Sequence, residues 1–342
     1  MATKKKMLPF SLHSVDLQQQ FSEIQEMIQV ARRKANVTVD KVLIDLYWRI
    51  GSYISVKINS TEWGKSVVEK LALFLQKNLQ GPKGFSNKNL WRMKQFYEEY
   101  HNDTILAPVV RELGWTQNLI IFGRCKNRDE REFYLRMAAR EKWSKRQLER
   151  QFKSGLFERI ITTKPKLSPT LKKALPQANE VFKDSYSMEF LGVPENHSEK
   201  DLQKSIIRHL KDFMIEFGRD FTFVGEECRV QVGNADFFLD LLFFHRDLQC
   251  LVAIELKIDE FRPEYLGKMN FYLEALDRDV KKPHEKPSIG LILCKGKNDE
   301  VVEYALSRSL SPLAIADYQT KLPDKKLLQQ KLHEFYELGS LK

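Results

Sequence analysis

At 342 residues the chain is long enough for two domains with separate cores, and its 42% apolar and 30% charged residues exclude an intrinsically disordered protein. No stretch approaches the ~20 consecutive apolar residues of a membrane helix, and the opening MATKKKMLPF lacks the apolar core of a signal peptide, so a cytoplasmic protein with no membrane attachment is expected. Cys125, Cys228, Cys250 and Cys294 lie far apart with no CxxC pair, which argues against a zinc site or a disulfide framework.

The net charge of +10 is unevenly spread. Residues 1–183 hold 34 Lys and Arg against 18 Asp and Glu, whereas residues 184–342 hold 22 against 28. A basic first half suits a polyanion such as nucleic acid, and an acidic second half suits a site that gathers divalent cations.

From Asp16 to Asn78 apolar residues recur at three and four spacing, predicting packed amphipathic helices. In GPKGFSNKNLWRMKQFYEEY, Gly81, Pro82 and Gly84 break the chain and Ser86 is placed to cap a helix whose inward stripe is Leu90, Met93 and Phe96. Lys88, Asn89, Arg92 and Lys94 near its start have the chemistry of a groove-entering recognition helix, although a solvated face would read the same way. Beyond it, NRDEREFYLRMAAREKWSKRQLERQF is the most basic ordered segment, with a new helix expected after Ser144. Arg140, Lys145 and Arg146 are candidates to grip phosphates, as are Arg131, Arg136 and Arg150; pairing with Glu132, Glu141 and Glu149 is the alternative use.

Residues 163–196 hold Pro165, Pro169, Pro176 and Pro194 and read as a linker between a helical domain, 14–162, and a second domain, 197–342. There SEKDLQKSIIRHLKDFMIEFG predicts one amphipathic helix with Leu202, Ile206, Leu210, Phe213 and Phe217 aligned. A strand meander follows, turning at Gly233-Asn234 and between His245 and Leu248. Then come a helix (RPEYLGKMNFYLEALD), a strand (SIGLILCK), a helix (NDEVVEYALSRS), a strand (PLAIADY) and a terminal helix (DKKLLQQKLHEFYEL). The class is α+β with two domains, an all-α first domain and an α/β second one built on a central sheet.

Within FFLDLLFFHRDLQCLVAIELK, two apolar strands each bury an acid, Asp240 and Glu255, and Lys257 follows two residues later. Alternation sends Glu255 and Lys257 to one face, and strand pairing can bring Asp240 beside Glu255. Carboxylates held that close repel unless a cation lies between them, and a hard divalent ion on oxygen ligands, Mg²⁺ with Mn²⁺ as a substitute, meets that need. Lys257 would orient a water attacking phosphorus and offset transition-state charge. A buried Glu-Lys pair braced by Asp240 is the structural alternative, disfavoured because i,i+2 residues on a strand are poorly placed to satisfy each other.

Asp240 with Glu255-Leu256-Lys257 resembles the D…(D/E)XK signature of the PD-(D/E)XK nuclease superfamily. FMIEFGRDFTFVGEE, FRPEYLGKMNFYLEALD and PSIGLILCKGKN resemble bacterial YhcG-type nucleases, and GWTQNLI, GFSNKNLWRMKQFYEEY and WSKRQLERQ resemble their helical N-terminal domain. The resemblance implies a Mg²⁺-dependent DNA endonuclease with a winged-helix-like DNA-binding domain and a restriction-endonuclease-like core. It makes Asp240 and Glu255 metal ligands, Lys257 the catalytic lysine and the Leu256 carbonyl a further ligand. The superfamily often adds an acid on the first core helix, for which Glu216 is a candidate, since Gln203 stands where related sequences tend to have Glu. Lys268 and Tyr272 fall where many members place a polar residue near the cut phosphate; their alternatives are surface charge and core aromatic. Other readings are a catalytically silent DNA-binding or assembly protein, and an RNA substrate. Phe237, Phe238, Phe243 and Phe244 raise the further reading of a homodimer surface.

Overall fold

A computed structural model describes residues 15–34, 39–60, 63–78 and 84–324, together with 327, 328, 330 and 332. Gly81, Pro82 and most of the expected terminal helix lie outside the described residues. The chain forms two compact units that divide between Lys145 and Arg146.

The first unit is helical: α1 (Val15–Lys34), α2 (Val39–Asn59), α3 (Lys65–Asn78), α4 (Asn87–Tyr100), α5 (Leu106–Val110), α6 (Trp115–Arg124) and α7 (Arg128–Arg140). Its described residues contain no strand, so the wing of the expected winged-helix fold is not seen among them. Ser86 caps α4 as its sequence position requires, accepting from Asn89 N–H, and Leu90, Met93 and Phe96 are buried. Gly51 on α2 is what lets α4 come close, because a Cβ there would sit 2.1 Å from the Met93 carbonyl oxygen.

The second unit begins one residue into α8 (Lys145–Lys153) and continues with α9 (Leu156–Thr162), then β1 (Lys166–Leu167), α10 (Pro169–Ala174), α11 (Ala178–Val181) and β2 (Ser185–Ser187). Residues 163–196 therefore do not run as a free linker. β1 and β2 both pair with the last strand, β7 (Leu313–Gln319). Ser168 caps α10 and accepts from Leu313 N–H, and buried Lys297 binds Asp184 and Asp317 at 3.1 and 2.9 Å. The prolines break the segment into pieces too short to show periodicity, while its few apolar residues, Leu171 and Tyr186 among them, still enter the core.

The expected single helix is two, α12 (Glu199–Arg208) and α13 (Leu210–Phe217), broken at His209, whose φ and ψ of −110° and 29° leave the helical region. Beyond the break, Phe213 and Phe217 stack on Phe243. The sheet continues with β3 (Phe221–Val232), β4 (Ala235–His245), β5 (Cys250–Leu256) and, after α14 (Tyr265–Ala275), β6 (Lys286–Cys294). After β6, α15 (Asp299–Ser307) leads into β7, and the strand order is β1-β7-β6-β5-β4-β3. β3, β4 and β5 are antiparallel neighbours, the first pair turning through Gly233 at φ 60°; β5, β6 and β7 run parallel through the crossovers α14 and α15. One face packs on α12 and α13 through Leu241, Phe243, Val252, Ile254 and Leu256; the other packs on α14 and α15 through Leu242, Leu251, Ala253 and Ile292. Met269 lies flat on β6 because Gly290 has no side chain; a Cβ there would come within 2.5 Å of it. No described helix is long and apolar enough to cross a membrane.

Candidate active site

β4 and β5 pair as far as Leu241 with Ile254, and the same register carries Asp240 across from Glu255 at the carboxyl end of β5. Alternation does the rest. Leu242 and Ala253 face α14, so Asp240 and Glu255, two residues away from each, face it too. The open carboxyl ends of parallel strands are where α/β sheets usually place their chemistry.

Glu255 is almost wholly buried, with 1% of its side chain exposed. Its Oε1 accepts from Lys268 of α14 at 2.5 Å and lies 3.1 Å from Lys257 Nζ, while its Oε2 is buried with no hydrogen-bond partner. Asp240 Oδ2 accepts the Leu256 N–H at 2.8 Å, and the Asp240 carbonyl accepts from Gln203 Nε2 at 3.0 Å. Burial, and after it the Glu255 charge, push the Asp240 carboxyl up to about 6. Lys257 Nζ also donates to Glu199 Oε1 and to the Leu256 carbonyl, both at 3.0 Å. Burial works against its charge, but Glu199 and Glu255 outweigh burial and hold it protonated above the usual lysine range.

The i,i+2 pairing of Glu255 with Lys257, expected to be poor, is made. Lys257 falls one residue beyond the end of β5, so its side chain is not held upright by the pleat. Among the described residues no three of His, Cys, Asp and Glu gather closely enough to hold a metal ion. The oxygens here that could hold one are those of the Asp240 and Glu255 carboxylates and the Leu256 carbonyl, which already accepts from Lys257. All are hard oxygens, the kind a divalent ion such as Mg²⁺ takes, and Glu255 Oε2 is buried without a hydrogen-bond partner.

Comparison with known proteins decides the family. Residues 179–333 match the YhcG PDDEXK nuclease domain, and residues 23–159 match the DUF1016 N-terminal domain. "Putative nuclease YhcG" of Escherichia coli (strain K12) is 31% identical over 353 residues, covering 92% of this chain and 93% of that protein. The chain belongs to the YhcG-type PD-(D/E)XK nuclease family. Two solved structures give slighter likenesses. A repair endonuclease from Pyrococcus abyssi shares 16% identity over 38% of this chain and 49% of its own, with a TM-score of 0.26. EndoMS bound to double-stranded DNA shares 13% over 38% and 48%, at 0.25. The chain spans about half the length of each, and these likenesses carry no argument about activity.

In this YhcG-type chain the residues singled out by sequence separate into three groups. Asp240, Glu255, Leu256, Lys257, Gln203 and Lys268 come together. Tyr272, four residues after Lys268, is 2% exposed and borders that group, its ring 5.3 Å from the Lys268 ammonium, while its hydroxyl donates to the Phe238 carbonyl at 2.7 Å and so braces β4 two residues from Asp240. Glu216 lies in a separate buried cluster with Arg150 and Arg159, each at 3.3 Å, Lys183 at 3.4 Å and the Ser187 N–H at 3.1 Å. Its carboxylate is used up there, and Arg150, a phosphate candidate by sequence, is used with it.

Among the other basic candidates, Lys88, Lys145 and Arg146 are exposed and Arg92 is half-buried. Asn89 is engaged at both ends, donating to the Gly84 carbonyl and accepting from Trp115 Nε1, and Lys94 pairs with Glu98 at 2.6 Å. Arg140 pairs with Glu141, Arg136 with Glu132, and Arg131 with Glu99. Of the four phenylalanines, Phe243 is fully buried, Phe237 and Phe244 pack partly against the core, and Phe238 is exposed. Sequence reasoning missed Glu199. The available signal was its place four residues before Gln203, on the same face of α12.

Proposed function

We propose that the protein is a metal-dependent endonuclease that hydrolyses phosphodiester bonds in DNA, its basic helical unit binding the duplex. The observation that supports this most directly is the buried, unpartnered Glu255 Oε2 beside Asp240, within reach of the Lys257 ammonium. A divalent ion on Asp240, Glu255 and the Leu256 carbonyl would polarise the scissile phosphate and lower the pKa of an attacking water. Lys257, held protonated by Glu199 and Glu255, is a donor and a fixed positive charge, so it orients the water and stabilises the phosphorane-like transition state and is not the base that takes the water's proton. Gln203, with its neutral amide on the Asp240 carbonyl, fixes the strand end that carries the first ligand. Lys268 is 48% exposed and is free to turn from Glu255 towards a phosphate oxygen.

A silent, DNA-binding or assembly role has one observation in its favour: Lys257 and Lys268 both pair with Glu255 through Oε1. Calorimetric titration with Mg²⁺ or Mn²⁺, wild type beside Asp240→Ala, separates the two. The nuclease reading expects saturable binding that the variant abolishes, and cleavage that stops with EDTA. Absence of both heat and cleavage leaves the silent role. A panel of duplex, branched and single-stranded DNA and RNA tests the substrate; preference for RNA overturns the DNA assignment.

A further inference from the structure

A second feature with the chemistry of a ligand site lies wholly within the helical unit. Between the end of α4 and the start of α7 is a cavity of about 540 Å³, within the range of roughly 300–1,000 Å³ common to small-molecule sites. Its lining joins Lys126, Arg128 and Arg131 to Tyr100, Asn102 and Ile105.

Two buried polar groups in that lining are unsatisfied. The Tyr100 hydroxyl, on a residue 1% exposed, has no hydrogen-bond partner, and neither does Arg131 Nε. Arg131 Nε–H can only donate and the Tyr100 hydroxyl can donate, so an acceptor would satisfy both. The acids already present do not supply it. Asp103 accepts the Ile105 and Leu106 N–H groups through Oδ1 and Arg128 through Oδ2, and Glu99 is paired with Arg131 through Nη1. Asp103 thereby positions Arg128 through Nε and Nη2 and leaves Nη1 for another acceptor. The lining itself holds three cations, with exposed Lys126 among them, against the engaged carboxylates of Glu99 and Asp103; Glu130, just outside it, accepts the Lys126 backbone N–H. Arg131 is also fixed sideways, its guanidinium 6.0 Å from the Tyr100 ring and 5.5 Å from that of Phe122, so its free N–H is held in place before any ligand arrives. Ile105, 49% exposed, adds an apolar wall against which a flat ring can lie, and Asn102 offers both a donor and an acceptor.

From this arrangement we infer that the cavity is a binding site for a nucleoside 5′-monophosphate group, with the phosphate on Lys126, Arg128, Arg131 and Tyr100 and the base against Ile105 and Asn102. The group is either a free nucleotide or the phosphorylated end of a strand. The inference stands apart from the nuclease reading, because none of these residues belongs to the second unit.

The test uses the full chain carrying Asp240→Ala, in EDTA, so that the nuclease centre takes no part. Thymidine, thymidine 5′-monophosphate and inorganic phosphate are titrated calorimetrically, followed by a twelve-nucleotide strand with and without a 5′-phosphate. The monophosphate is expected to bind at one site per chain, about tenfold or more tighter than thymidine, and Lys126→Ala to weaken it about fivefold with an unchanged melting temperature. Tyr100→Phe, which removes only the orphaned hydroxyl, should weaken it as well. Tighter binding of the phosphorylated strand identifies strand ends as the source; the effect confined to the monophosphate identifies the free nucleotide. Binding of thymidine equal to the monophosphate, no saturation below roughly 10 mM, or indifference to both substitutions overturns the site.

Discussion

The Leu256 N–H donates to Asp240 Oδ2 at 2.8 Å, so the end of β5 is tied to the acid of β4 by the peptide that separates Glu255 from Lys257. Asp240→Asn keeps an acceptor for that N–H but loses the charge. It is expected to fold with a melting temperature close to wild type while losing divalent-metal heat and about 10²-fold or more of cleavage. Asp240→Ala removes the acceptor as well and should cost a further ~1–3 kcal/mol of stability, read by denaturant unfolding.

Lys257 carries the fixed charge of the site. Lys257→Met should lower cleavage of a labelled duplex by about 10²–10³-fold, the scale of losing one oriented transition-state donor, with duplex affinity within about threefold of wild type. Equal loss of binding and cleavage would place Lys257 in DNA contact instead.

Lys268 pairs with Glu255 through Oε1 and offsets the charge that would draw a cation to Oε2. Lys268→Met should therefore tighten Mg²⁺ or Mn²⁺ binding about two- to tenfold in calorimetry while still lowering cleavage, since the phosphate loses a donor. Metal affinity that falls in this variant would mean the lysine supports the ligand set.

Glu216 reports on stability and not on catalysis. Burial alone would raise its pKa, but Lys183, Arg159 and Arg150 outweigh burial and bring it to about 2. A carboxyl depressed in the folded state contributes stability that is complete above its unfolded value of 4.5 and is lost as pH falls through about 2. Wild type should lose stability across that window, and Glu216→Gln should lose less there because it no longer titrates. At neutral pH the same substitution takes the carboxylate from buried Arg159 and from half-buried Lys183 and Arg150, the last of which keeps Glu189, and should cost about 3 kcal/mol by chemical denaturation, with metal binding at Asp240 and Glu255 unaffected.

How much of this was legible in the sequence differs from residue to residue. Period-two alternation in two adjacent apolar strands was enough to place Asp240 and Glu255 on one face, because side-chain direction on a strand follows from position alone. Period 3.6 likewise identified the buried stripe of α4, and Ser86 its cap. Glu216 shows where such rules stop. On one unbroken helix it would share the face of Phe213 and Phe217, yet whether its carboxylate meets the nuclease centre or Arg150 depends on the bend at His209 and on where residues 145–187 pack.

The sequence by itself determined the order of strands and helices from β3 to β7, and it put Asp240 and Glu255 on adjacent strands with Lys257 just beyond, since each follows from local periodicity or from neighbouring strands. Tertiary structure alone decided that Glu199 and Lys268 close round that set with the Tyr272 ring 5.3 Å from the Lys268 ammonium, that Glu216 does not join it, and that residues 163–196 complete the sheet. Those contacts join groups 13 to more than 140 residues apart. No local pattern encodes them, because they depend on how whole helices and strands settle against a shared core.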